Sequence, residues 1–139
     1  TLLVNELISD NQIDLFCLTE TWLQEDYVSI NQSTPSNYSN FHILRSTGRG
    51  GGVATMFQSD LLISLRPINN YSSFKHLTLS FPHANCKVIQ PLVVLYCPPG
   101  PYSQFLDQLS DFFSDLVLNT DKVIIVGDFN IHVDTECDN

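Results

Sequence analysis

Hydrophobic and polar positions alternate with three distinct periods along the chain. Leu3, Val4, Leu7 and Ile8 fall on one helical face, and Asn11-Gln12 supply a stop. "IDLFCLTE" follows as a continuous apolar run, the pattern of a strand covered on both faces. From Thr21 to Asn40 the chain turns polar and contains Pro35, which predicts a long loop. "FHILRS" and "VATMF", separated by the glycine-rich "TGRGGG", predict a hairpin, and "LLISL" a short strand ended by Pro67. In "FKHLTLSF", Lys75, Leu77, Leu79 and Phe81 share one face, and Phe74, His76, Thr78 and Ser80 the other. That predicts an antiparallel strand with one half-wet side. "PLVVLYCPP" reads as a buried strand stopped by prolines, and "KVIIVG" as the last buried strand. Between them lies the clearest helix, with an apolar stripe of Phe105, Leu109, Phe112, Phe113 and Leu116 and with Pro101 suited to its first turn. The mixture predicts an α+β domain of packed sheets with helices outside.

Composition narrows the class. A chain of 139 residues, 43% hydrophobic and 15% charged, is expected to form one globular domain over 1–139. No apolar run is long enough to span a bilayer and the opening residues lack a secretory pattern, so no membrane role is expected. Cys17, Cys86, Cys97 and Cys137 form neither a CxxC pair nor a zinc spacing, which suits reduced thiols in an intracellular protein. The formal charge of -9, with six scattered Lys and Arg, excludes a broad basic footprint for nucleic acid. Only Arg45 and Arg49 sit close together. They suit phosphate contacts or plain solubilising charges equally well.

Three strand ends carry polar residues that a core does not need. Glu20 follows the first apolar strand, Tyr96 closes another before two prolines, and Asp128 and Asn130 follow the last. Side chains two apart on an extended backbone point the same way, so Asp128 and Asn130 converge on one ligand if the strand persists. Carboxylates with water are what Mg²⁺ prefers, often one or two per site. Each residue also has a plain structural reading: a solvated Glu, a core Tyr, a Gly-Asp-x-Asn turn. Asp107, Asp111 and Asp115 repeat every four residues on the long helix and are expected to be a solvated face.

"LTETWL", "RGGGVA", "LYCPPGP" and "VIIVGDFNIHVD", in that order, resemble the endonuclease domain of non-LTR (LINE-type) retrotransposons, in the DNase I-like endonuclease/exonuclease/phosphatase superfamily. The resemblance implies a four-layered α/β sandwich and a Mg²⁺-dependent DNA endonuclease that nicks target DNA, with Mn²⁺ as an alternative ion. Glu20 is similar to the metal-binding carboxylate, and Tyr96 to the tyrosine near the scissile phosphate. Asp128 is similar to the residue handling the attacking water, and Asn130 to the asparagine contacting the phosphate. It further implies DNA as partner, a reverse transcriptase downstream in the same polyprotein and a nuclear location. The family's opening strand with its asparagine, and its late aspartate and Ser-Asp-His, have no counterpart here. His132 and Asp134 lie on the wrong side to replace them. The domain is therefore expected to be partial, truncated at both ends, and to have little activity as written. The same motifs leave open a superfamily phosphatase acting on lipid or inositol phosphates, and a non-catalytic interaction module on the same scaffold.

Overall fold

A computed structural model describes residues 2–23, 27–44, 51–81, 90–118, 120 and 122–131. In chain order the elements are α1 Leu2–Asp10, β1 Leu15–Thr19, α2 Tyr27–Ser33, β2 Tyr38–Ile43, β3 Val53–Gln58, β4 Ser64–Leu65, β5 Lys75–Phe81, β6 Gln90–Tyr96, α3 Tyr102–Val117 and β7 Ile124–Asp128. One sheet has the antiparallel order β1-β3-β2; the other has the order β4-β5-β6-β7. Within the second sheet β6 and β7 are parallel, which demands a long crossover, and α3 supplies it.

Three apolar clusters stack these elements into four layers. Ile8, Ile30, Tyr38, Ala54 and Met56 join α1 and α2 to the outer face of the first sheet. Val53, Leu77, Val94 and Tyr96, with Cys17, Phe41, Ile43 and Val126, fill the space between the sheets. Phe74, Val93, Leu95, Cys97, Phe105, Phe112 and Leu116 join the second sheet to α3. The order helix, sheet, sheet, helix is the α+β sandwich expected from the sequence. No helix is long and apolar enough to cross a membrane.

Several local expectations need correction. The polar stretch 21–40 contains α2, because Ile30 is buried and gives a short helix something to dock with. On α1 Ile8 is fully buried, while Leu3 and Leu7 face outward. The strand β2 begins at Tyr38, three residues before the expected Phe41, with the Tyr38 hydroxyl donating to the Ile13 carbonyl at 2.7 Å. "LLISL" yields only the two-residue exposed edge strand β4. The supposed wet face of β5 is dry: His76, Thr78 and Ser80 are all buried, His76 against Phe112 of α3. Their polar atoms find partners there, with a His76 ring nitrogen 3.0 Å from the Asn69 carbonyl and Arg66 Nε donating to Ser80 Oγ at 2.7 Å. Strand β7 is not sealed, since Ile124 and Ile125 are 47% and 37% exposed at the sheet edge.

Other readings match. The aspartates Asp107, Asp111 and Asp115 are exposed on α3. Cys17 and Cys97 are free thiols, half-buried and buried. Arg45, Arg49, His83, Cys86, His132, Asp134 and Cys137 lie outside the described residues.

Candidate active site

The C-terminal ends of β1, β6 and β7 meet at one rim of the sandwich. Tyr96, the last residue of β6, is 3% exposed and donates its hydroxyl to Glu20 Oε1 at 2.6 Å. This charge-assisted bond joins the two sheets across 76 residues of sequence. Asp128 is the register partner of Tyr96 on the parallel strand β7. The Cys97 N–H donates to the Asp128 carbonyl at 2.9 Å, continuing the pairing one step past the strand.

A glycine sets this approach. A Cβ on Gly127 would stand 1.9 Å from the carbonyl oxygen of Leu95, its partner on β6, so no side chain fits there. Beyond Asp128 the strand stops. Asn130 adopts a left-handed conformation (φ 49°), and its N–H donates to Asp128 Oδ1 at 3.0 Å, an Asx-type turn. The extended geometry that would aim Asp128 and Asn130 alike is therefore absent. Asn130 Nδ2 instead donates to the Cys97 carbonyl at 2.8 Å. The Tyr102 hydroxyl, from the first residue of α3, donates to the Asn130 carbonyl at 2.5 Å. The loop after β6 and the first residue of α3 thus each grip the turn after β7.

The same rim holds most of the strained non-glycine backbone. Glu20 and Trp22 have φ of 50° and 55°; with Asn130 they account for three of the four such residues among those described, Gln12 being the other. A left-handed L-residue costs of order 1–2 kcal/mol, and such strain persists where surroundings over-determine it. Here the Trp22 N–H donates to the Gly51 carbonyl at 3.3 Å and the Thr21 N–H to that of Gly52 at 3.5 Å. The Thr21 hydroxyl oxygen is enclosed and has no hydrogen-bond partner among the described residues.

Electrostatically, the site is a phenol between two carboxylates. Burial pushes the Tyr96 hydroxyl well above its ordinary range, and the Glu20 hydrogen bond and the charges of Glu20 and Asp128 push further in the same direction. Tyr96 is thus a fixed neutral donor. Burial, then the Asp128 charge, likewise raises the Cys97 thiol, which makes it inert. No group of three His, Cys, Asp or Glu side chains gathers among the described residues. The donor set of one exposed carboxylate and a second nearby fits a hard cation that keeps most of its water.

Glu20, Tyr96 and Asp128 are the sequence candidates brought together; Asn130 joins them mainly through backbone. The sequence alone does not mark Tyr102, Gly127 or Trp22 as site residues. A glycine inside an apolar strand was the available signal for Gly127. Nothing local marked Tyr102.

Solved structures share the fold. A humanized D. rerio TDP2 carrying 14 mutations superposes with a TM-score of 0.66 at 14% identity, over 94% of this chain and 58% of that one. The human Nocturnin catalytic domain with bound sulfate gives 0.58 at 18% identity, over 96% and 57%. ANGEL2, a 2',3'-cyclic phosphatase, gives 0.68 at 21% identity, over 94% and 43%. This chain therefore spans 43–58% of the length of these relatives. No curated protein sequence matches it. Two facing sheets under outer helices, with two carboxylates and a tyrosine at the rim, agree with a match that runs through residues 1–136: the chain belongs to the Endonuclease/Exonuclease/phosphatase family.

Proposed function

We propose that this chain is part of a divalent-metal-dependent DNA endonuclease of the LINE retrotransposon type, which hydrolyses one phosphodiester to nick target DNA. Members of the family are generally divalent-metal dependent. The observation that carries the reading is the 2.6 Å bond from Tyr96 to Glu20, beside Asp128, uniting the ends of three strands. Support for the retrotransposon branch comes from "TETWL" and "LYCPPGP".

Each side chain then has a task. Glu20 Oε1 is engaged by Tyr96, which leaves Oε2 to face a cation, Mg²⁺ by preference. The bound cation supplies charge neutralisation and Lewis acidity for the phosphate. Asp128 Oδ1 accepts from the Asn130 N–H, so Oδ2 is the atom that orients water and takes its proton. Asn130 keeps one amide N–H and Oδ1 beyond its bond to Cys97, enough to hold a phosphate oxygen. Tyr96, held neutral, orients Glu20 and donates no proton to the reaction. DNA, a nuclear setting and an adjoining reverse transcriptase are the context this activity requires.

Incubation with supercoiled plasmid and Mg²⁺ tests the reading. Little nicking by the chain as given, with any residual open-circular product lost in Glu20→Ala and in Asp128→Asn, is the expected outcome. Nicking untouched by both substitutions, or absence of any divalent-cation binding at Glu20, contradicts it. A second reading, suggested by the shared fold of ANGEL2, a 2',3'-cyclic phosphatase, is a superfamily phosphatase acting on lipid or inositol phosphates. Turnover of phosphoinositides but not DNA would select it.

A further inference from the structure

Trp22, the single tryptophan of the chain, is 57% exposed two residues after Glu20. A large ring left in water at the mouth of a site is unusual, because tryptophan is highly buried on average and concentrates at binding surfaces. The local fold had a means of burying it. Leu23, the next residue, packs against the cluster of Ile8, Ile30 and Met56. Instead, the backbone at Trp22 is left-handed and its N–H is tied to the carbonyl of Gly51, itself left-handed at φ 98°. An aromatic residue with positive φ is a genuine outlier, and ligand clamps are where such outliers collect. The indole is thus displayed on a pinned backbone, at little conformational cost to a ligand that stacks on it.

Charge points to the kind of ligand. The chain carries -9 overall with six Lys and Arg, too few for affinity built on the phosphate backbone alone. Aromatic stacking recognises any base through its π-face and needs no positive charge. We propose that Trp22 is a nucleobase-stacking subsite that holds a base next to the phosphate at Glu20. This inference rests on the nuclease reading above and names how its DNA is gripped.

Trp22 reports on its own contact, because its emission is the only tryptophan signal. Short DNA strands are added in Ca²⁺ buffer, alongside strands of equal length and charge made wholly of abasic sugar-phosphate. Polarisation of labelled strands measures affinity for Trp22→Phe and Trp22→Ala. The expected result is quenching by intact strands and little by abasic ones. Affinity should be nearly kept in Trp22→Phe and fall about tenfold in Trp22→Ala. Equal binding of intact and abasic strands, an unchanged Trp22→Ala, or no DNA binding at all overturns the subsite. So does an emission shift that follows protein concentration alone, which would mean a second copy covers the ring. Cation binding in Glu20→Ala is measured separately. Loss of the Trp22 effect with Glu20-dependent cation binding intact sinks only the stacking subsite. The reverse pattern sinks the nuclease reading and leaves the stacking.

Discussion

Tyr96 sits between Glu20 and Asp128 as a donor with nowhere to lose its proton, and this has measurable consequences. Removing the hydroxyl in Tyr96→Phe frees Glu20 to swing into solvent, so the stability cost is about 1 kcal/mol. The larger effect is on the cation site proposed at Glu20, where the carboxylate loses its fixed orientation; several-fold weaker Mn²⁺ binding by calorimetry is expected. The folded state holds the Tyr96 hydroxyl above its unfolded value of about 10, so the neutral form is the one folding favours. That stability is complete below about pH 10 and is lost as pH rises further. An alkaline limb in the pH dependence of Tm, flattened in Tyr96→Phe, checks it. At this scale the sequence was readable wherever a polar residue closed an apolar run, as Glu20, Tyr96 and Asp128 do. It was not readable for Tyr102, whose hydroxyl matters only because the turn at Asn130 returns to it.

The pairing of β6 with β7 decides whether those side chains meet. Gly127→Ala would put a methyl group into the Leu95 carbonyl, so the strands must part. A loss of roughly 2 kcal/mol or more in denaturant unfolding is expected, together with loss of cation binding as Asp128 leaves Tyr96. Between β5 and α3 the chain makes a different commitment. His76 is buried 4.6 Å from the Phe112 ring centre, and burial lowers its pKa below the usual 6.5. Arg66 and Asp115 line the cavity beside it. Folding therefore favours neutral His76, and stability present above about pH 6.5 declines as pH falls. His76→Gln should flatten that acid limb in a Tm series. The alternation in β5 was legible; which of its two faces was wet was not, because His76 and Thr78 look solvated until Phe112 and Leu116 of α3 cover them. The same limit hid α2, a helix whose burial rests on Ile30.

Across the whole molecule, helix, sheet, sheet and helix follow from the periodicities, yet the open side of β7 does not. An unbroken "VIIV" reads as interior, whereas Ile124 and Ile125 are partly exposed along an edge that pairs only with β6 among the described residues. Exposed apolar edges invite association. Ile125→Lys should reduce concentration-dependent self-association in sedimentation while leaving the circular dichroism spectrum unchanged. Both sheets must hold their relative position for Glu20 to reach Tyr96, so the fold and the site stand or fall together. Calorimetric titration of the purified chain with Mn²⁺ tests that union most directly. One divalent-ion site in the native protein, abolished by Glu20→Ala and weakened by Asp128→Asn, is the predicted result. Ion binding that both substitutions leave unchanged, or no binding in the native protein, would contradict it.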